Sequence, residues 1–138
     1  MKRIIVLYGP SNCGKTQTLD YLREIIREHG GQSISIEMYP SGDCSEAFLY
    51  KGVVISVGTG GDIVDMIEEN FLFAEKWKAN IIVTASRTRG AGVDHINQKA
   101  EEYGLQVEWY RKSYERDSCE NTMDSCNKET AQFLFGKL

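Results

Sequence analysis

Three short segments, residues 4–8, 53–57 and 81–85, are apolar at nearly every position and rich in β-branched side chains. A strand without alternation has no wet face, so each must be covered above and below, as the central strands of a parallel sheet are. Two other segments do alternate: Ile34, Ile36 and Met38 against Ser35 and Glu37, and Leu105, Val107 and Trp109 against Gln106 and Glu108. One face of each stays wet, which places these two strands at the sheet edges.

Helical spacing fills the gaps between strands. Leu19, Leu22, Ile25, Ile26 and His29 form one stripe over residues 15–29, which stops at Gly30 and Gly31. Ile63, Ile67, Phe71, Ala74 and Trp77 form a second, and Val93, Ile96, Ala100 and Tyr103 a third that stops at Gly104. A fourth helix is predicted over residues 118–135, capped by Asp117 or Ser118, with Met123, Cys126 and Phe133 facing inward. Strands alternating with helices imply a three-layer α/β/α sandwich around a mostly parallel, five-stranded sheet with right-handed crossovers. The 138 residues fit a single domain, 1–138.

Directly after the first apolar segment, Gly9, Pro10, Ser11, Asn12, Cys13, Gly14, Lys15 and Thr16 read G-x-x-x-x-G-K-T. A buried strand aims the loop, glycines bare its backbone N–H groups, and a helix starts at the lysine, the three parts needed to hold a polyphosphate. On this motif and its setting the chain resembles the P-loop NTPase superfamily, and its compactness resembles that of small kinase-like members. The resemblance implies ATP and Mg²⁺ as ligands, held by residues Gly9, Ser11, Asn12, Cys13, Gly14, Lys15, Thr16 and Gln17. Lys15 would serve the β- and γ-phosphates and Thr16 the magnesium ion, with the Cys13 side chain turned away from the phosphates. Strand order 2-3-1-4-5, that of kinase-like P-loop proteins, is favoured, although order 5-1-4-3-2 leaves the same strands at the edges. Residues 39–51 are barely long enough for a parallel crossover with a short helix over 45–50, so an antiparallel second strand stays open.

The superfamily pattern also asks for an acid ending a buried strand, and neither the third nor the fourth strand supplies one in line. Asp62 is the favoured substitute as catalytic and metal-binding carboxylate, because parallel strands bring their C-terminal ends to the rim where ligands bind. A helix cap explains that aspartate equally well. Glu37 is the other candidate metal ligand, against the plainer reading of a solvated edge-strand glutamate. Residues 86–92, S-R-T-R-G-A-G, follow the fourth strand on the same rim, so Arg87 and Arg89 are catalytic candidates for neutralising a phosphoryl group. Arg111, Lys112 and Arg116 extend this basic surface. A guanine-specifying N-K-x-D is missing, the nearest string being Asn127 to Thr130, which favours ATP over GTP. His29 and His95 show no metal spacing.

Composition narrows the partners. A net charge of −4 argues against broad capture of a nucleic-acid backbone. Apolar runs of about five residues fall far short of a bilayer span. Residues 1–3 imitate the start of a signal peptide, but the run ends at Gly9, so a cytoplasmic location is expected. Cys13, Cys44, Cys119 and Cys126 form no C-x-x-C and read as reduced thiols. The expected function is ATP- and Mg²⁺-dependent phosphotransfer to a small molecule or nucleotide, the acceptor being unspecified. The alternative is a nucleotide-binding switch or slow ATPase acting on a protein partner, and an enzyme acting on polynucleotide ends ranks third.

Overall fold

The computed structural model describes residues 1–112 and 123–138. Its elements are β1 (Arg3–Tyr8), α1 (Lys15–Glu28), β2 (Gln32–Met38), β3 (Cys44–Tyr50), β4 (Val53–Gly58), α2 (Val64–Lys76), β5 (Ile81–Ser86), α3 (Ala91–Tyr103), β6 (Val107–Arg111) and α4 (Met123–Phe135). Six strands form one mixed sheet in the order β2-β3-β4-β5-β1-β6. The strands β4, β5, β1 and β6 run parallel, while β3 is antiparallel to both of its neighbours.

The α/β class and both edge strands agree with the sequence reading, but the strand count and the favoured order do not. The five expected strands correspond to β1, β2, β4, β5 and β6, and they lie in the order 5-1-4-3-2 with β3 inserted between the last two. Order 2-3-1-4-5 is therefore overturned, and so is the short helix over residues 45–50. Two tight turns explain the change. Lys51 and Gly52 both take positive φ, 49° and 78°, in a two-residue hairpin whose twist suits antiparallel strands. In the loop before β3, Tyr39 N–H donates to Asp43 O at 2.9 Å and Gly42 N–H to Tyr39 O at 3.0 Å. With both ends folded back, β3 ladders against β2 on one side and β4 on the other.

Helices cover the sheet on two faces. Leu19, Leu22 and Ile26 of α1, with Ala131 and Leu134 of α4, bury against Leu7, Ile55, Val57 and Val83. On the other face Ile67, Phe71 and Ala74 of α2, with Ile96 and Ala100 of α3, bury against Ile4, Val6 and Ile82. Full burial of a side chain such as Leu22 or Phe71 contributes about 1.5–3 kcal/mol, so the three apolar strands and their helical stripes dominate the core. The inward face of α4 differs from expectation: Asn127, Ala131 and Leu134 are buried, whereas Phe133 is 50% exposed. The expected start of that helix at 118, with its cap, lies outside the described residues. Among the described residues no helix is long and apolar enough to cross a membrane.

A buried charge distinguishes β3 from its neighbours. Glu46 is 1% exposed, and its carboxylate accepts from Arg23 Nε at 2.8 Å, from Arg27 and from Ser33 Oγ at 2.6 Å. Two arginines and a hydroxyl offset the desolvation of one carboxylate, and they tie the α1 helix to the hairpin.

Candidate functional site

β1 sits between β5 and β6, so the loop that follows it starts at the middle of the rim formed by the C-terminal ends of the parallel strands. Two backbone hydrogen bonds fix its root: Gly9 N–H donates to Ser86 O at 3.1 Å, and Lys112 N–H donates to Tyr8 O at 2.7 Å. The loop then turns through left-handed conformations at Asn12 and Gly14, with φ of 62° and 97°. Glycine is required at the second. A Cβ on Gly14 would run into the Asn127 side chain, which α4 presses against the loop. Helix α1 begins at Lys15 with no side-chain cap, so the partial positive charge of its N-terminus faces the rim.

Lys15 is folded back across this loop. Its side chain is 5% exposed, and its ammonium donates to Gly9 O at 2.7 Å and Pro10 O at 2.9 Å, with Asp62 Oδ1 at 3.1 Å. The Thr16 hydroxyl contacts Thr59 O at 3.3 Å and Asp43 Oδ1 at 3.4 Å. Asp43 is held by Thr59, whose hydroxyl donates to Oδ1 at 3.2 Å, and by Ser41, whose hydroxyl lies 3.2 Å from Oδ2. Asn12, Gly14, Lys15, Thr16, Asp43 and Asp62 line a cleft of about 510 Å³, a volume within the range of ligand sites and sufficient for a nucleotide.

A buried polar chain shapes the far wall. Tyr39 donates to Ser45 Oγ at 2.9 Å, Ser45 donates to Asn70 Oδ1 at 3.1 Å, and Asn70 Nδ2 donates to Gly60 O and Thr84 Oγ1, both at 2.7 Å. Asn70 thus clamps the turn between β4 and α2 onto the neighbouring strand. Gly61 completes the approach, because a Cβ there would collide with the Ala85 carbonyl. The two features together hold Thr59 and Asp62 against the glycine-rich loop.

The structure sorts the sequence candidates. Asp62 does not cap α2: the residue preceding that helix is Ile63, no side chain caps it, and Asp62 pairs with Lys15 instead. Thr16 and Gln17 line the cleft, Gln17 Oε1 accepting from Asn127 Nδ2 at 3.1 Å. Cys13 is buried with its sulfur toward Gly9, so it contributes only main chain to the loop. Ser11 is exposed outside the cleft lining. Glu37 is corrected: it lies exposed on the edge strand β2, opposite Ser45, and does not line the cleft. Arg87 and Arg89 are also exposed and outside the lining, although their loop leaves β5 beside Gly9. Lys112 is not part of a basic surface. It is buried at the root of the loop, and burial pulls its ammonium below the usual lysine value. Arg116 lies outside the described residues.

A cleft carboxylate that the sequence did not reveal is Asp43. It stands in the Pro40-Ser41-Gly42-Asp43 turn between β2 and β3, and only the pairing of those strands brings it to Thr16. The turn residues were legible; their position beside the cleft was not. Among the described residues no group of three or more His, Cys, Asp or Glu side chains gathers as a metal site. The donors present are hard oxygens, the Thr16 hydroxyl and the Asp43 and Asp62 carboxylates, and this small set fits Mg²⁺, which keeps several waters and takes phosphate oxygens as further ligands. Compared with protein-family models, curated proteins and solved structures, the chain matches none.

Proposed function

We propose that this protein binds ATP with Mg²⁺ in the cleft and transfers the γ-phosphoryl group to a small acceptor. The observation that carries the reading is the convergence of Lys15, Asp62, Thr16 and Asp43 at an uncapped helix N-terminus behind a left-handed glycine turn. Main-chain N–H groups at that turn and the first turn of α1 suit a polyphosphate, and Lys15 exchanges Asp62 and the loop carbonyls for phosphate oxygens. Thr16 and Asp43 would hold Mg²⁺, which neutralises charge on the phosphates when bound. Released from Lys15, the Asp62 carboxylate accepts the proton of an acceptor hydroxyl as its oxygen bonds to phosphorus and ADP leaves.

A second reading, a slow ATPase or nucleotide switch acting on a partner, is favoured by one observation. Arg87 and Arg89 stand outside the cleft, so Lys15 is the sole cation among its described lining residues. Incubation with γ-labelled ATP, Mg²⁺ and a panel of metabolites and nucleotides separates the readings. Phosphotransfer predicts label on an acceptor and its loss in Asp62→Asn. Label released only as inorganic phosphate, whatever the panel, contradicts phosphotransfer and supports the second reading.

A further inference from the structure

On the α2–α3 face of the same rim lies a second cavity, of about 500 Å³, lined by Tyr8, Thr88, Val93, Asn97 and Trp109. Its aromatic walls meet as a corner, the Tyr8 and Trp109 rings standing 5.9 Å apart at an interplanar angle of 82°. A flat ring laid on one of them meets the other edge-on, both favourable arrangements for π systems. Both aromatics are half-buried, and besides the Tyr8 hydroxyl and the Trp109 indole N–H the polar side-chain groups of the cavity are the exposed Asn97 amide and Thr88 hydroxyl, neither with a hydrogen-bond partner among the described residues. Arg87 and Arg89 flank Thr88 in the chain, are exposed, and form no ion pair with the described residues. Tyr8 is the residue immediately before Gly9, so the cavity lies beside the root of the glycine-rich loop.

We propose that this cavity binds a planar heteroaromatic ligand carrying an anionic group, of the nucleoside monophosphate class. The ring packs into the Tyr8–Trp109 corner, and the Asn97 amide, both donor and acceptor, reads its polar edge. Arg87 and Arg89 take the anion, for which guanidinium forks are suited. Three features of the cavity agree on that chemistry, a volume suited to a mononucleotide, an aromatic corner and an amide without a partner among the described residues, and the two arginines that flank Thr88 in the chain, outside the lining, form no ion pair with the described residues. The further identification of this ligand as the phosphoryl acceptor rests on the phosphotransfer reading. Occupancy of the cavity does not.

The test is calorimetric titration of the full chain with AMP, GMP, CMP and UMP, with inorganic phosphate as the ring-free control, repeated on Lys15→Ala, Asn97→Ala and the double variant Arg87→Ala/Arg89→Ala. Asn97 and both arginines are exposed, so these substitutions leave folding intact. At least one monophosphate should bind saturably and at least tenfold more tightly than phosphate. Asn97→Ala should weaken it about tenfold and the double variant by at least as much, while Lys15→Ala leaves it unchanged. The proposal is overturned if no monophosphate binds, if phosphate binds as tightly, or if Lys15→Ala abolishes binding that Asn97→Ala leaves intact. Monophosphate binding that Asn97→Ala weakens, in a protein that gives no heat with MgATP, would uphold this cavity while removing the phosphotransfer reading.

Discussion

The two halves of the sheet are built on different physics. In the parallel half, β4, β5, β1 and β6 are held by apolar burial between two helical layers, and β1, Ser86 and the N-terminus of α1 define the glycine-rich loop. In the hairpin half, β2 and β3 carry a buried carboxylate, Glu46, locked by two arginines of α1, and β2 leaves Ile34, Ile36 and Met38 on the surface. The cleft lies where the halves meet. Main-chain donors and Lys15 come from the parallel half, Asp43 from the hairpin, and Thr59 links them by bonding Asp43, Thr16 and the Cys44 N–H at once. An apolar frame thus carries the glycine-rich loop and Lys15, and an ion-anchored hairpin carries Asp43.

The sharpest challenge to this contrast is Glu46→Ala, which leaves Arg23 and Arg27 facing each other without their shared carboxylate. Chemical denaturation should register a loss of about 3 kcal/mol, toward the lower end for a broken buried pair because Arg27 is partly solvated. A loss below about 0.5 kcal/mol, the scale of an ordinary surface change, would mean that the hairpin is not ion-anchored. Next in size, Asn70→Ala strips a donor from Gly60 O and Thr84 and should cost about 2 kcal/mol, with weaker MgATP binding as the β4–α2 turn loosens. Unchanged nucleotide affinity in a folded Asn70→Ala protein would separate that turn from the site.

Asp43→Asn keeps the shape and removes the charge. Affinity for ATP should fall about tenfold with Mg²⁺ present and hardly at all without it, and equal losses in both conditions would exclude Asp43 as the metal carboxylate. The smallest effect belongs to the parallel half's outer edge, where Arg3 Nη2 lies 2.8 Å from Glu108 Oε1 with both side chains about a third exposed. The hydrogen bond from Arg3 holds the Glu108 carboxyl below the ordinary value of 4.5. Its contribution, about 0.5 kcal/mol after solvent screening, is therefore present above pH 4.5 and lost as pH falls through the lower folded value. Glu108→Gln should abolish that increment at neutral pH, and urea midpoints of the two proteins should converge in acid. Midpoints that differ equally at every pH would rule out the ionic origin.

The same contrast governs what could be read from the chain. Ile4–Leu7, Ile55–Val57 and Ile82–Ala85 announce themselves because apolar burial on two faces leaves a nearly continuous hydrophobic run, broken only by Ser56 and Thr84, and the loop after Tyr8 announces itself by its spacing. Residues Cys44–Tyr50 do not, because a strand that buries Glu46 between Cys44 and Phe48 has neither a continuous apolar run nor alternation. The turn Lys51–Gly52 was the local signal for a hairpin, a lysine in a left-handed conformation that sequence alone gives little reason to expect. Without β3 the position of Asp43 beside Thr16 has no signal in the chain, whereas Glu37, legible near the end of β2, lies outside the cleft lining. Asn127 was visible only as part of a failed guanine motif; its packing on Gly14 comes from the docking of α4 against α1, a tertiary event without a local code.

Calorimetry of wild-type protein and Lys15→Ala with MgATP, both checked for folding by circular dichroism, tests the anion site directly. The account predicts saturable binding to the wild type, weakened about a hundredfold when the ammonium is removed. No heat from the wild type, or equal affinity in the two proteins, would contradict it.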